Sequence, residues 1–138
     1  MEFEASIGNE ADGYLAVGIS SEKVVVQRIR HRDFKWPFRR RERLVEPLFD
    51  REVKTGEEKE QVEAFLGKML AYMKDAAERY SPENLVDTGT NWSFVMWAGE
   101  QVFSTGGCNA FPPWWDEACA LISEVAGRPF GKVLPEQK

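Results

Sequence analysis

The first third of the chain contains short segments in which apolar and polar positions alternate or β-branched residues cluster. These segments are 3–7, 14–19 and 24–29, and turn-forming residues separate them. Such spacing predicts a meander of two or three antiparallel strands. The segment 44–53 has no clear period, and because Pro47 argues against a helix through it, we interpret it as an edge strand or an irregular arm.

A longer apolar stripe with helical spacing follows. Thr55 and Glu58 form a capping box, in which the Thr55 hydroxyl accepts from the third helical amide and the Glu58 carboxylate reaches back. The pattern predicts a helix over 57–80, ended by Ser81-Pro82. The apolar residues that recur at intervals of three and four are Val62, Phe65, Leu66, Met69, Leu70, Met73, Ala76, Ala77 and Tyr80.

The segment on both sides of Gly99-Glu100 predicts a β-hairpin. The apolar segments 92–98 and 101–105 are in phase, and the two residues between them form a glycine-first loop of type II′. In this register Trp92 and Thr105 share the face that we expect to pack against the long helix. Trp97 lies on the other face, which is either covered by another element or offered to a partner.

A second helix is expected after the glycine-rich segment 106–109. It begins at about Pro112, with proline at its first positions, and Gly127 lies beyond its end. Trp114 and Trp115 lie at its start. Together with Trp97, they are the aromatic side chains that we expect to be exposed.

These elements predict an α+β fold, with an antiparallel sheet of four to six strands and two helices packed on one face. Residues 1–138 form a single domain, and 43% hydrophobic and 30% charged residues are typical of a globular protein. No apolar stretch is long enough to span a bilayer, so no membrane partner is expected. The acidic N-terminus lacks the basic and apolar regions of a secretion signal, which predicts a cytoplasmic location.

Positive charge is concentrated in a basic aromatic arm, residues 28–43. Eight basic and two acidic residues give this arm a local sum of +6, so with a net charge of −5 the remainder sums to −11. Arginines and aromatic rings anchor protein interfaces, and they also bind single-stranded nucleic acid. We favour a protein partner because the acidic remainder repels a polyanion. The arm residues expected to bind are Trp36, Arg39, Arg40, Arg41 and Arg43.

The arm is not expected to stand alone in water. Trp36-Pro37 forbids a regular ladder or helix at that point, and the arm lacks the periodicity to bury its own rings. The acidic remainder offers the complementary charge. We therefore expect the arm to pack across its own sheet or across a second copy in a symmetric dimer.

No assembled catalytic set can be read from the sequence. His31, the single histidine, lies in the arginine-rich arm and is interpreted as a surface residue. Cys108 is a candidate nucleophile, activated by the helix that follows, although a tight glycine connection is the favoured interpretation of 106–109. One histidine and two cysteines eleven residues apart support no metal site, and no cofactor is expected.

The segment 92–125 contains Trp-x-Phe-x-Met, a glycine turn, Ser-x-Gly, Asn-x-Phe-Pro and an apolar helix. This order resembles a pattern found in small uncharacterised bacterial α+β proteins. The chain departs from that pattern by the extra residue Gly107 and by Pro113-Trp114-Trp115, and the resemblance implies no activity. Some acidic single-domain proteins of this general kind act as immunity proteins for polymorphic toxins, which is an analogy of size and charge.

The sequence therefore predicts a non-enzymatic protein-binding domain, of the immunity or antitoxin kind, that binds through tryptophan and arginine side chains. One alternative is a binder of single-stranded nucleic acid through the 28–43 arm. A second alternative is a cysteine-dependent enzyme that uses the 106–109 segment.

Overall fold

The computed structural model describes residues 1–9, 11–34, 40–80 and 89–131, with the backbone alone at 32–34, 40 and 41. Within these ranges the chain forms seven strands and two helices. The strands are β1 (Glu2–Asn9), β2 (Gly13–Ser20), β3 (Lys23–Phe34), β4 (Arg40–Glu52), β5 (Arg79–Tyr80), β6 (Asn91–Ala98) and β7 (Gln101–Cys108). The helices are α1 (Gly56–Lys74) and α2 (Trp115–Ala126).

The seven strands form one sheet in the order β4-β3-β2-β1-β6-β7-β5. Neighbouring strands pair antiparallel, except that β5 pairs parallel with β7. The predicted α+β class is confirmed, but the expected number of four to six strands is too small. The two residues of β5 account for the difference, because the helical spacing assigned them to the preceding helix.

Alternation along the central strands separates a buried face from an open one. In β1, Phe3 and Ala5 are buried whereas Glu2 and Glu4 are exposed. Phe3 lies opposite apolar residues of both neighbouring strands, so one face of the sheet becomes continuous core. The fully buried side chains of this core include Ile19, Val24, Val26, Phe94 and Met96.

Both helices cover this apolar face. The ring of Phe3 meets Phe65 of α1 edge-on, with centroids 5.4 Å apart. Phe94 stacks on Trp115 of α2 at 5.5 Å and an interplanar angle of 9°. Since Phe3 and Phe94 also contact each other at 5.4 Å, the two helices pack on the same side of the sheet.

Helix α1 begins as predicted and ends earlier than predicted. The Thr55 hydroxyl accepts from the Glu58 amide at 3.0 Å, and the Glu58 carboxylate accepts from the Thr55 amide at 3.0 Å. The predicted helix over 57–80 is wrong at its end, because α1 stops at Lys74. Arg79-Tyr80 instead pairs with β7, and this tertiary partner outweighs the helical spacing of the segment.

Strand β4 is an edge of the sheet, as one of the two interpretations of 44–53 required. Its ladder with β3 extends out to Phe34 and Arg40, while β2 pairs with β3 only over 24–29. The arm therefore begins and ends as a two-stranded antiparallel ribbon. Trp36-Pro37, which was expected to break the ladder, lies outside the described residues.

The β6–β7 hairpin has the predicted register, with Ala98 opposite Gln101. Gly99 has a φ of 66°, as the first position of a type II′ loop requires. Helix α2 begins at Trp115 rather than at Pro112, so the prolines precede the helix instead of forming its first turn. Gly127 ends the helix in the left-handed conformation, with φ 74°, as predicted.

Candidate functional site

The face of the sheet that the helices leave uncovered carries a shallow groove. It has a volume of about 480 Å³ and crosses β1, β2, β3 and β6. Its floor is low because the residues that point away from the core at the centre of the sheet are small. These floor residues are Ser6, Ala16, Gly18 and Ser93.

Charges of opposite sign line the groove. Glu2 and Glu4 of β1 lie toward one side, and Lys23 of β3 and Arg43 of β4 lie toward the other. Because β2 separates β1 from β3, the carboxylates and the Lys23 strand are roughly 10 Å apart. We call this surface, the small floor with its four flanking charges, the open-face groove. It can take a chain segment whose own charges complement both sides.

Polar side chains lie on the floor of the groove and continue along the same face beyond it. The Ser6 and Ser93 hydroxyls lie 3.0 Å apart across the β1–β6 pair. The Asn91 amide approaches the Tyr14 hydroxyl at 3.4 Å. This end of the face therefore offers hydrogen-bonding groups, while the groove offers charge.

Trp97 lies on this open face, as the hairpin register predicted. It is half-buried and lies opposite Glu2 of β1 on one side and Val102 of β7 on the other. Val102 is 59% exposed, the largest exposure among the large apolar side chains of the described residues. Trp97 and Val102 thus form an apolar patch beside the acidic side of the groove.

Trp114 and Trp115 lie on the opposite, helical side of the sheet. Trp114 stacks on Tyr72 of α1 at 5.0 Å and 8°. Trp115 contacts Trp92 at 4.9 Å and Phe111 at 4.7 Å. Both are half-buried against the core rather than freely exposed, so they do not share one surface with Trp97. Their role in binding stays a prediction.

The arm residues are only partly described. Arg43 is exposed and lines the open-face groove, which brings one residue of the predicted arm next to the central strands. Arg40 and Arg41 have the backbone conformation of β4, paired with β3. Trp36 and Arg39 lie outside the described part of the chain. Of the predicted binding residues, Arg43 and Trp97 are therefore the two that share the open face.

The glycine-rich segment is strand rather than loop. Gly106 and Gly107 belong to β7, and the Gly106 amide donates to the Glu78 carbonyl at 3.2 Å. This pairing removes the free amides that an anion-binding loop would need. Asn109 follows at a φ of 55°, and its side-chain oxygen accepts from the Thr90 amide at 2.8 Å. The segment has a structural explanation in these contacts.

Cys108 and His31 are far apart. Cys108, a half-buried thiol, lies on β7, whereas His31 lies on β3. Three strands separate β3 from β7, so the two side chains are roughly 19 Å apart across the sheet. A cysteine–histidine pair needs hydrogen-bond distance, which this fold does not provide within one chain.

Glu58 and Tyr72 have shifted pKa values, and both shifts are explained by hydrogen bonds. The backbone amides of Thr55 and Lys54 hold the pKa of Glu58 below its ordinary value, with a smaller contribution from Arg51 at 3.0 Å. The hydrogen bond that the Tyr72 hydroxyl donates to Glu117 at 2.6 Å raises the pKa of Tyr72. Both groups tie α1 to its surroundings rather than lining the open-face groove.

The groove residues on β1 and β2 were missed by the sequence reasoning. The alternation Glu2-Phe3-Glu4-Ala5 already places both carboxylates on the face away from the core. What it does not give is the neighbour of each strand. That information comes from the β1–β6 pairing, which joins residues 2–8 to residues 91–97.

Among the residues that the structure describes, no group of three or more metal-binding side chains comes together. No helix within the same residues is both long and apolar enough to cross a membrane. No model of a known protein family, no curated protein and no solved structure matches this chain.

Proposed function

We propose that this chain is a non-enzymatic protein-binding domain, of the immunity or antitoxin kind, that binds its partner through the open-face groove. The observation that carries the proposal is the groove itself, a low floor of small side chains with carboxylates on one side and cations on the other. Proteins bind partners through surfaces with a complementary charge pattern and an apolar anchor. Trp97 and Val102 supply that anchor beside the groove.

The shape of the groove favours a chain segment over a small molecule. A groove that crosses four strands is wide and shallow, whereas small-molecule sites enclose most of the ligand surface. Glu2 and Glu4 favour a basic partner residue on their side, and Lys23 and Arg43 favour an acidic one on theirs. The partner segment is therefore expected to carry charges of both signs.

The positions of Cys108 and His31 favour binding over catalysis. The separation of Cys108 from His31 by three strands leaves the thiol without the base that activates a nucleophile. The immunity or antitoxin kind is suggested by the small size of the chain and its net charge of −5. That part of the proposal rests on analogy.

Filling the groove tests the proposal. Gly18 lies on the floor, and a Cβ added there meets nothing within 4 Å, so Gly18→Trp adds bulk without disturbing the core. Gly67→Trp is the matched control, because Gly67 lies on the exposed side of α1 with the same free space. The immobilised wild-type chain is used to capture a partner from extracts of the host cells. We expect Gly18→Trp to weaken capture roughly tenfold or more and Gly67→Trp to leave it unchanged.

A growth assay then tests the antitoxin part. The captured protein, expressed alone, is expected to stop growth, and co-expression of this chain is expected to restore it. Gly18→Trp should not restore growth, whereas Gly67→Trp should. Capture that survives in Gly18→Trp would show that the groove is not the binding surface. A captured protein without effect on growth would leave a binding domain of another kind.

Nucleic-acid binding through the arm is the second candidate. The observation that favours it is the β3–β4 ribbon, which extends beyond β2 and exposes Arg30 and Arg43. Anisotropy of a labelled single-stranded oligonucleotide, measured at rising salt, tests it. We expect the affinity to fall steeply with salt, and each of Arg30→Ala and Arg43→Ala to reduce the slope by about one. Binding that is absent at low salt removes this candidate.

A further inference from the structure

The edge strand β4 exposes apolar side chains that the sheet itself does not cover. Leu44 and Phe49 are each 38% exposed, and Val45 is 42% exposed. A strand at the edge of a sheet also has backbone donors and acceptors that are free to pair with another strand. β4 is thirteen residues long, and with β3 on its inner side its outer side is open within the described residues.

The charge pattern along β4 is complementary to the same pattern read in the opposite direction. From Arg41 to Glu52 it reads Arg-Glu-Arg-Leu-Val-Glu-Pro-Leu-Phe-Asp-Arg-Glu. Three charges of alternating sign begin this run, and three charges of the opposite order end it. Two strands of this sequence that run antiparallel therefore bring each terminal charge opposite a charge of the other sign. Leu44 then lies opposite Phe49.

A bulge in β4 makes this pairing compatible with two-fold symmetry. In an antiparallel strand pair with two-fold symmetry, one residue faces its own symmetry mate, so the positions of any two facing residues differ by an even number. Positions 43 and 50 differ by an odd number. The β3–β4 register skips Leu48, since Phe49 is opposite Val26 and Pro47 is opposite Gln27. This extra residue changes the count by one. Arg43 and Asp50 consequently lie on the same face of the sheet.

We propose that β4 pairs antiparallel with β4 of a second copy of this chain, so that the sheets of the two copies join into one. In this dimer Arg43 of each copy lies opposite Asp50 of the other, and Leu44 lies opposite Phe49. The two-fold axis passes through the pair formed by Glu46 and its symmetry mate. Arg28 lies opposite Glu46 in the β3 register and supplies a compensating charge beside the axis.

Other symmetric registers are less favourable. Moving the axis to Val45 brings Leu44 opposite Glu46, and moving it to Pro47 brings Leu44 opposite Arg51. Both registers set an apolar side chain against a charge. Arg43 and Asp50 are both exposed, and neither has an ion-pair partner within the described part of the chain. The dimer gives both of them one.

The proposed dimer shares Arg43 with the open-face groove but does not require a partner to be bound there. A two-fold axis perpendicular to the joined sheet places both grooves on the same side of the dimer and all four helices on the other. Asp50 does not line the groove, so a change at Asp50 addresses the dimer alone. A symmetric dimer was one of the expectations drawn from the sequence, and the β4–β4 pairing proposed here gives such a dimer a specific strand register.

Charge reversal tests the register. Wild type, Arg43→Asp and Asp50→Arg are compared by sedimentation velocity over a wide dilution series, with far-ultraviolet circular dichroism to establish that each is folded. Arg79→Asp is the matched control, because Arg79 is exposed on β5 at the opposite edge of the sheet. We expect wild type and Arg79→Asp to dimerise equally. Each reversal at β4 should weaken the dimer roughly tenfold to a hundredfold, because two attractive pairs become repulsive.

Mixing the two variants provides the decisive measurement. Arg43→Asp carries two acidic residues and Asp50→Arg carries two basic ones, so an equimolar mixture should form a heterodimer as tightly as wild type. A wild type that is monomeric at every concentration overturns the proposal. A mixture that stays monomeric overturns it as well, and so does an Arg43→Asp variant that dimerises like wild type.

Discussion

Gly107 offers the sharpest test of the packing between β5, β7 and the segment that follows β7. It is buried, and its φ is outside the left-handed region, so what excludes a side chain there is space rather than backbone conformation. A Cβ added at Gly107 would lie 2.7 Å from the Tyr80 carbonyl oxygen and 2.8 Å from the Ala110 carbonyl oxygen. Ordinary contacts of this kind begin at 3.4 Å, so both carbonyls would have to move by several tenths of an ångström.

Neither carbonyl can move without loss. Tyr80 is held in β5 by its pairing with β7, and the Ala110 carbonyl accepts from the indole N–H of Trp92 at 2.8 Å. Overpacking of this kind costs about 2–3 kcal/mol. For a domain of this length that loss lowers Tm by roughly 8–12 °C. We therefore expect Gly107→Ala to be severely destabilised but folded.

Gly18→Ala is the matched control. Gly18 also lies within a strand, but a Cβ added there meets nothing within 4 Å. Because glycine weakens a strand, this substitution should be neutral or stabilising by up to about 1 kcal/mol. Urea unfolding followed by tryptophan fluorescence measures both variants against wild type. A Gly107→Ala variant within about 0.5 kcal/mol of wild type would refute the reasoning, and so would a Gly18→Ala variant that loses as much stability.

Three further predictions follow from single contacts. Glu58→Gln should lower Tm at neutral pH, and the difference in Tm from wild type should disappear in acid. The pKa of Glu58 in the folded protein lies below its ordinary value of 4.5. The stabilisation by the Glu58 carboxylate is therefore complete above pH 4.5 and is lost as the pH falls through the folded pKa. Thermal melts across pH check this, and a gap that is independent of pH contradicts it. Tyr72→Phe should cost about 1 kcal/mol at neutral pH. Since the pKa of Tyr72 in the folded protein lies above 10.0, this stabilisation is complete below pH 10.0 and is lost as the pH rises through the folded pKa. Absorbance titration of wild type and variant measures the pKa of the Tyr72 phenol. Asn109→Ala should lower the free energy of unfolding by about 2 kcal/mol, because it combines left-handed backbone strain with the loss of a hydrogen bond. Asn109→Gly should lower it by only about 1 kcal/mol, because glycine adopts the left-handed conformation without strain. Equal losses for the two variants in chemical unfolding would show that the strain is absent.

The elements that the sequence predicts well are those fixed by local chemistry. The capping box at Thr55 and the loop at Gly99 depend on residues a few positions apart, and both have the expected geometry. The end of α1 was predicted wrongly because it depends on a distant strand. Nothing in the sequence near Tyr80 indicates that β7 offers it a parallel pairing position.

The candidate site was less accessible to prediction. The open-face groove crosses four strands that lie far apart in the sequence, so no single segment reveals it. Trp114 and Trp115 were expected to be exposed at the start of the second helix. Stacking with Tyr72 and with the core rings holds them half-buried, and such ring geometry has no periodic signal in a sequence.

The central position of β1 has a consequence for how the chain folds during synthesis. Its pairing with β2 is local, but its pairing with β6 joins residue 2 to residue 97, the longest loop closure among the strand pairs described. The β1–β4 meander can therefore form early, whereas closure by β6 and β7 is the slow, non-local step. Until the β6–β7 hairpin has left the ribosome, β1 is a second unprotected edge of the sheet besides β4, and α2 does not yet cover the apolar face. That interval is when the chain is most vulnerable to aggregation.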